Sequence, residues 1–309
     1  MNHPNSEVYI RIFKKIDFER INKHPNILVA ASFWDEERYK AAKVCYKFMR
    51  KIDDLVDDYK SLHTSIEDEN RERLAGKVAE WMATIRSGRN RNLFGRELLR
   101  TIDRFRIPLW PFEDFATSMI YDINNDGFLN LQSFLDYSQG ATVAPSSVFV
   151  HLCGLRKNGN AFAEPLFDVK KAAAPCALFS YLVHIIRDFQ SDQKANLNYF
   201  ADEVMIRHDL TRKSLRDIAD GAGITSGFRE MIREYYLLAD QYRRQTLEII
   251  QEISPLVEPC YALSLNIIFN LYLMVFERID PDQGSFTAQE LNPSPAEIRQ
   301  RVWETISHT

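Results

Sequence analysis

The stretch YKFMRKIDDLVDD, residues 46–58, indicates which fold this chain adopts. Each residue of a helix is turned by about 100° from the last, so positions four or seven apart share a side. The polar side of this helix then carries Tyr46, Arg50, Asp53, Asp54 and Asp57. The opposite side is apolar and is expected to be buried: Cys45, Phe48, Ile52 and Leu55. Taken alone, the stretch is either a carboxylate site or a solvated face held by intrahelical ion pairs.

A second stretch, ALFSYLVHIIRDFQSD at residues 177–192, sets carboxylates into an apolar helix. Its first turns are apolar on nearly every side, which is typical of a buried helix. Tyr181, His184, Asp188 and Asp192 share one side of it. A buried carboxylate is costly unless it is paired or bound to metal. The pattern favours a metal-binding face, although Arg187 could neutralise either aspartate and leave an inert ion pair.

Together the two stretches predict a magnesium site for a diphosphate. Each carries two aspartates four residues apart beside an arginine: Asp53, Asp57 and Arg50 in the first, Asp188, Asp192 and Arg187 in the second. Mg²⁺ prefers oxygen ligands and is commonly shared between carboxylates and substrate phosphates. Facing pairs could hold several ions around a diphosphate and stabilise it as a leaving group, while the arginines donate to its oxygens. Loss of diphosphate from an allylic carbon leaves a carbocation. A dry cavity with aromatic faces would stabilise that carbocation.

Helical periodicity recurs along the chain, and the alternation typical of strands is scarce. Only 11 of the 309 residues are glycine, so few tight hairpins are available. We predict helices over residues 36–60, 67–86, 92–104, 111–121, 131–154, 168–193, 211–220, 225–252, 257–279 and 294–306. We expect one all-α domain over residues 1–309, large enough to enclose a cavity between its helices.

The end of the chain, residues 281–309, is predicted to be a tail with a short helix. The run Asp280–Pro295 is linker-like, and Ser294-Pro295-Ala296-Glu297 is a capping-box sequence that would begin the helix. Gly221 is expected to end the helix over 211–220 in a left-handed conformation.

Composition bears on partners and location. The formal net charge of −4 argues against nucleic acid, because a basic surplus is needed to hold phosphate backbones. The four cysteines lie far apart and form no metal or disulfide pattern. We expect a cytoplasmic protein without a signal peptide or a membrane-spanning segment. The basic runs 86–91 and 207–216 are interpreted as solvated faces, although they could hold the protein at the periphery of an anionic membrane. The oligomeric state stays open.

Residues 122–130, DINNDGFLN, look like the start of a calcium-binding loop. The twelfth position is Ser133, which cannot supply the carboxylate that closes such a site. We therefore interpret the run as a connection between two helices, with Asp122 a candidate to face the cavity.

With both acidic helices in view, the sequence resembles the squalene/phytoene synthase family. Arg50–Asp57 and Ile186–Asp192 look like that family's first and second aspartate motifs. Tyr137–Ala144, YSQGATVA, is similar to its tyrosine-led small-residue segment, which lines the prenyl channel. Tyr199–Asp202 follows the second motif where the family has Tyr-Leu-Pro or similar, and Tyr272 matches a tyrosine of its C-terminal helix.

The resemblance, over about residues 24–279, implies the isoprenoid synthase fold and head-to-head condensation of two identical prenyl diphosphates, farnesyl or geranylgeranyl. One substrate would ionise at an aspartate-bound Mg²⁺ cluster, and the second would attack it to give a cyclopropylcarbinyl diphosphate. A second ionisation would then yield a C30 or C40 hydrocarbon. Use of NADPH as a further cofactor stays open.

The resemblance also implies roles for matching residues. The metal ligands, which are also catalytic, would be Asp53, Asp57, Asp188 and Asp192. Tyr137 would be a further catalytic residue. The substrate-binding residues would be Tyr46, Arg50, His184, Arg187, Tyr199 and Tyr272.

The chain departs from the family at several positions. Tyr181 and His184 stand where the family usually has Gln-x-x-Asn. We expect His184 to donate a hydrogen bond to diphosphate, because imidazole is a poorer Mg²⁺ ligand than an oxygen donor; a packed histidine is the alternative. Asn26-Ile27 replaces a Ser-Phe diphosphate contact, and Pro145 and Ala201 are further differences.

Two other functions remain open. One is a prenyl diphosphate phosphatase or terpene cyclase on the same fold, in which water or the substrate's own chain quenches the carbocation. The other is a non-catalytic helical binding protein whose acidic faces are ion-paired. Mg²⁺-dependent substrate binding would exclude the non-catalytic binding protein. Doubling of the product's carbon number would exclude the phosphatase or cyclase.

Overall fold

The computed structural model describes residues 6–19, 26–63, 66–89 and 92–308. Within these ranges the chain is all-α, as predicted, apart from a short antiparallel hairpin of Arg156–Asn158 with Ala161–Ala163. The α-helices are α1 (Ser6–Phe13), α2 (Asn26–Ala31), α3 (Glu36–Leu62), α4 (Asp68–Ser87), α5 (Leu93–Arg104), α6 (Trp110–Asn124), α7 (Leu131–Ser138), α8 (Ala144–Gly154), α9 (Val169–Arg187), α10 (Phe189–Lys194), α11 (Asp202–Arg207), α12 (Arg212–Ala219), α13 (Ser226–Ile253), α14 (Pro259–Phe276), α15 (Ala288–Leu291) and α16 (Pro295–His308).

The core is built around α9 and α14. Helix α9 packs against α8, α13 and α14, and α14 also packs against α2 and α16. Phe179 of α9 is fully buried, with its ring centroid 5.7 Å from that of Phe269 and 5.6 Å from that of Phe276. Because other helices enclose α9, its sequence needs no broad polar stripe.

Both core helices are long and apolar enough to cross a membrane, contrary to the expectation that no segment is. Helix α14 has no charged residue among its 18. In the structure, 61% of α14 and 50% of the apolar window of α9 are buried inside the protein. Their place in the core therefore accounts for their composition.

Helix α8 lies between the two acidic helices. It packs against α3 on one side and α9 on the other, and its residues 147–154 are all buried. Helix α3 buries Cys45, Phe48 and Ile52 of its predicted apolar side. Leu55 was also expected to be buried, but it is only half-buried, because it lines an open groove. Helix α3 begins where the Asp35 side chain accepts a hydrogen bond from the Arg38 N–H at 3.0 Å. Because α3 turns its apolar side to the core, its acidic side is left for the cavity.

The helix predicted over residues 131–154 is interrupted by a π-helical turn, Gln139–Val143. At this turn the chain passes so close to α6 that a Cβ on Gly140 would overlap the Asp114 carbonyl oxygen and Ser118 Oγ. Ser118 Oγ donates to the Tyr137 carbonyl oxygen at 2.7 Å. Because Gly140 has no Cβ, the chain can lie against α6 at this point, and Tyr137 is held there.

The helix predicted over residues 168–193 is two helices, because the chain bends at Asp188 (φ −93°, ψ 8°). The Asp188 N–H still bonds to the His184 carbonyl oxygen, and the Asp192 N–H to the Asp188 carbonyl oxygen, both at 2.9 Å. The bend is therefore local, and Asp188 and Asp192 stay on successive turns.

The C-terminal region packs on the rest of the chain. Helix α16 contacts α14 and α1, with the Trp303 ring 5.4 Å from the Phe13 ring. The predicted capping box is present, since Ser294 Oγ accepts from the Glu297 N–H at 3.3 Å and Glu297 Oε2 accepts from the Ser294 N–H at 2.8 Å. Gly221 has φ +104°, in line with the left-handed conformation that was expected there.

We expect Gly140→Ala to destabilise the fold by about 1–3 kcal/mol, because the new methyl group would overlap the α6 backbone. The matched control is Gly76→Ala on α4, where a Cβ would meet nothing within 4 Å. That change should stabilise the protein by about 0.5–1 kcal/mol. Urea unfolding followed by circular dichroism measures both. Equal stability of Gly140→Ala and wild type would contradict the close approach of the two segments.

Candidate active site

The first acidic face, on α3, holds its arginine with its own aspartates. Arg50 Nη1 donates to Asp53 Oδ2 at 2.7 Å, and Nη2 donates to Asp54 Oδ1. In the described part of the chain Asp57 has no ion-pair partner. Desolvation raises the pKa of Asp53 to about 6. Desolvation also raises the pKa of Asp57, and the charge of Asp53 adds to the effect, so that this pKa is about 8. This face therefore carries negative charge that the protein does not fully neutralise.

The second acidic face is organised differently, because one of its two aspartates is the acceptor for both neighbouring donor side chains. Arg187 donates to Asp188 through Nε and Nη2, both at 2.7 Å. His184 Nε2 lies 2.5 Å from Asp188 Oδ2. Desolvation acts to raise the pKa of Asp188, but these hydrogen bonds outweigh it and hold that pKa well below its usual value. Desolvation and the Arg187 charge lower the pKa of His184, so it donates as the neutral imidazole.

Asp192, one turn beyond Asp188, has no ion pair among the residues described. Desolvation raises its pKa to about 7, and the charge of Asp188 adds to the effect. Arg50 thus binds two carboxylates of α3 and Arg187 binds Asp188. Among the described residues, Asp57 and Asp192 are left without an ion pair.

The two faces meet at three tyrosines. The pKa of Tyr199 is raised well above its usual value by desolvation, by Tyr181, and by the carboxylates of Asp57 and Asp192. The Tyr181 and Tyr199 rings lie 6.0 Å apart, edge to face, and both hydroxyls act to raise the pKa of Tyr137. Carboxylates from α3 and α10 thus lie near one hydroxyl, so the two acidic faces approach each other at Tyr199.

Tyr46 and Tyr272 close another side of this cavity. Desolvation raises the pKa of both, and Tyr272 also senses the charges of Arg187 and Asp188 and the hydroxyl of Tyr46. The structure therefore brings together every site residue that the sequence suggested: Tyr46, Arg50, Asp53, Asp57, Tyr137, His184, Arg187, Asp188, Asp192, Tyr199 and Tyr272.

Lys60 is a site residue that the sequence analysis missed. Its Nζ lies 2.6 Å from Asp122 Oδ1 and donates to the Asn125 carbonyl oxygen at 3.0 Å. Asp122 does face the cavity, since its charge acts on Asp53, Asp57 and Tyr137. Lys60 stands one turn beyond Asp57, and that spacing is the signal that could have identified it. The loop resembling a calcium site connects α6 to α7, as interpreted from the sequence.

Two cavities adjoin the site. An apolar cavity of about 50 Å³ lies beside Tyr46 between α2, α3 and α8, and its lining includes Met49, Pro145 and Phe149. A polar cavity of about 160 Å³ is lined by residues that include Lys60 and Tyr199. The site therefore has separate apolar and polar surroundings.

The donor set suits a hard divalent cation that is shared with a ligand. No group of three or more His, Cys, Asp or Glu side chains converges as a ready metal cage in residues 6–19, 26–63, 66–89 and 92–308. Asp57 and Asp192 are nonetheless desolvated oxygen donors without cation partners. Mg²⁺ commonly binds through one or two carboxylates and takes its remaining ligands from water and phosphate.

Curated proteins similar to this chain include chloroplastic phytoene synthases. The chain is 23% identical over 256 residues to a chloroplastic phytoene synthase of Narcissus pseudonarcissus, covering 81% of this chain and 56% of that protein. It is 22% identical over 274 residues to chloroplastic phytoene synthase 3 of Zea mays, covering 87% of this chain and 60% of that protein. The chain thus spans less than two-thirds of the length of these relatives.

Solved structures share the fold. A dehydrosqualene synthase in complex with a ligand superposes with a TM-score of 0.67 at 15% identity, covering 99% of this chain and 100% of that one. Squalene synthase HpnC from Alicyclobacillus acidocaldarius gives 0.64 at 17% identity, covering 97% and 95%. The expected isoprenoid synthase fold is confirmed. Residues 22–289 match the squalene/phytoene synthase family model, and the chain therefore belongs to the squalene/phytoene synthase family.

Proposed function

We propose that this protein condenses two prenyl diphosphates, farnesyl or geranylgeranyl, head to head with release of diphosphate. The product would be a squalene-, dehydrosqualene- or phytoene-like hydrocarbon. Members of the family are transferases that use prenyl diphosphates. The observation that carries the proposal is that Asp57 and Asp192, from two different helices, act on the same Tyr199 hydroxyl. Acidic pairs on two walls of one cavity suit the ionisation of two diphosphates in turn.

Mg²⁺ is the proposed cofactor. Asp53 and Asp57 would hold it on one wall, and Asp188 and Asp192 on the other. When bound, Mg²⁺ would neutralise diphosphate oxygens and make diphosphate a better leaving group. Without a cation, the raised pKa values of Asp57 and Asp192 reflect desolvated charge that the protein leaves uncompensated, which supports this assignment.

Arg50 and Arg187 would orient the diphosphate. Each already donates to an aspartate beside it, so its guanidinium is fixed before the substrate arrives. His184 is given a different role from the one its sequence position suggested. Because its Nε2–H is directed at Asp188, we propose that it orients that carboxylate rather than the diphosphate.

The tyrosines would protect the carbocation. Desolvation raises the pKa of Tyr137, Tyr181 and Tyr199 well above the usual value, so all three stay protonated at neutral pH. A neutral phenol is a poor nucleophile, and its ring face stabilises a nearby cation. In the proposed reaction the C–O bond breaks, diphosphate takes the electron pair, and the double bond of the second substrate attacks the cation. Loss of a proton would then give a cyclopropylcarbinyl diphosphate. A second C–O ionisation would release its diphosphate, and loss of a further proton, or transfer of a hydride from NADPH, would give the neutral hydrocarbon.

We propose a cytoplasmic location. The basic run 207–216 gives little support to attachment at an anionic membrane, because its cations are largely paired. Arg207 lies 2.7 Å from Glu234, Arg212 lies 3.2 Å from Asp202, and Lys213 lies 2.7 Å from Asp217.

Purified protein with farnesyl or geranylgeranyl diphosphate and Mg²⁺ is expected to form a C30 or C40 hydrocarbon, measured by mass spectrometry. Assays with and without NADPH are both needed, since a squalene-like product requires a hydride donor. EDTA should abolish the product. Asp53→Ala/Asp188→Ala should lower turnover at least about a hundredfold, because both walls lose a metal ligand.

The control for that variant is Glu248→Ala/Glu252→Ala, which removes two exposed carboxylates of α13. It should match wild type. A C15 or C20 alcohol or cyclic product would move the function to a phosphatase or cyclase. Absence of diphosphate release from both substrates would contradict the catalytic assignment.

We expect the metal-free protein to lose thermal stability as the pH rises from about 5 to 8.5. The folded-state pKa values of Asp57, about 8, and Asp192, about 7, exceed the ordinary 3.8, so the folded state binds these protons more tightly. The stabilisation from this tighter proton binding is complete below about pH 4. It decreases as the pH rises and is lost once the pH has passed through 7 to 8. The melting temperature should fall by several degrees, more than the roughly 2–4 °C that a change of about 1 kcal/mol gives. Mg²⁺ should restore it at pH 8.5 but not at pH 5.

Asp57→Asn/Asp192→Asn has no such carboxylates to ionise. Its melting temperature should vary less with pH and respond little to Mg²⁺, whereas Glu248→Gln/Glu252→Gln should follow wild type. A wild-type melting temperature that ignores both pH and Mg²⁺ over this range would count against the metal assignment.

A further inference from the structure

The flank of α3 beside its acidic face forms an open groove with α4, of about 600 Å³. We call this the α3–α4 groove. Its apolar floor consists of Leu55, Tyr59 and Leu74, and its cationic rim consists of Lys47, Lys51, Arg73 and Lys77. None of these seven residues belongs to the candidate active site described above.

The rim carries positive charge that its surroundings do not neutralise. Among the described residues, no carboxylate lies within ion-pair distance of any of the four rim cations. Lys47 and Lys51 instead lie over the rings of Phe94 and Trp81, at 5.0 and 5.8 Å. The groove is also lined by Arg50 and by two carboxylates, Asp54 and Asp58. On a chain of net charge −4, its lining still has a positive excess.

Arg50 connects the groove to the cavity. It lines the groove together with Asp54, and it donates to Asp53 on the acidic face. A phosphate that moved along the rim would therefore reach the same guanidinium that borders the candidate metal site. Arg50 therefore borders both the groove and the first acidic face.

We propose that the α3–α4 groove is a loading site for the prenyl diphosphate substrate. The rim binds the diphosphate and the floor covers part of the hydrocarbon chain before the substrate passes Arg50. This inference rests on the proposed function and deepens it. A polyanion that approaches a net-acidic protein and an acidic cavity is repelled, so a cationic patch at the mouth increases its rate of capture. The apolar floor distinguishes this site from one for a bare phosphate.

The test is binding of farnesyl thiodiphosphate, an analogue that ionises poorly, in EDTA by isothermal titration calorimetry. Without metal the acidic cavity repels the diphosphate, so binding reports the groove. Lys51→Glu/Lys77→Glu should weaken binding about tenfold. The matched control, Lys40→Glu/Lys43→Glu, makes the same change in net charge at exposed positions of α3 outside the groove, and it should stay within about twofold of wild type. Circular dichroism checks that both variants fold.

Turnover gives a second readout. For the rim variant, kcat/KM should fall about tenfold and lose much of its salt dependence, with kcat unchanged. Equal thiodiphosphate affinity in wild type and both variants would overturn the proposal. So would a rim variant that keeps this affinity but no longer sediments with vesicles containing phosphatidylglycerol, since the groove would then be a lipid surface. The EDTA measurement needs no turnover, so it decides about the groove even if the condensation assay fails.

Discussion

Desolvation of the carboxylates on its inner helix faces is the constraint around which this protein is arranged. Asp53, Asp57, Asp122 and Asp192 all have raised pKa values, and desolvation is the main cause in each. Asp188 is the exception, because Arg187 and His184 direct their hydrogen bonds to it. The folded chain therefore holds carboxylates that water would solvate if the helices came apart. What keeps them in place is the packing of the helices that carry them.

That packing comes from surfaces that face away from the cavity. Helix α3 turns Phe48 and Ile52 into the core while its aspartates line the site. Helix α9 is enclosed by α8, α13 and α14, so His184 and Arg187 are fixed by apolar contacts made elsewhere on the same helix. The small residue at position 140 lets the α7–α8 segment lie against α6 and hold Tyr137 in the cavity wall. Stability and chemistry are thus divided between opposite sides of the same helices.

Much of this arrangement could be predicted from the sequence, because helical periodicity depends on local order. The two Asp-x-x-x-Asp runs placed the acidic faces, and the family resemblance placed the tyrosines between them. The bend at Asp188 and the π-helical turn at Gln139–Val143 could not be predicted in this way, because they are set by neighbouring helices. The partners of Lys60 and His184 were also missed, since each depends on which acceptor the fold brings within reach. Short elements such as α2, α11 and the hairpin carry too few residues for a clear period.

The packing of α16 on α1 has a consequence for how the protein is made. The Phe13 ring contacts Trp303 and lies beneath Arg299, so residues almost 300 positions apart complete one patch of the surface. Helix α1 packs against Phe33 through Tyr9, but the Phe13 side of α1 lacks its cover while the ribosome has yet to translate α16. That side stays a target for chaperones or for self-association until the last turns of α16 leave the exit tunnel. The order of synthesis therefore makes the first helix among the last to be fully buried.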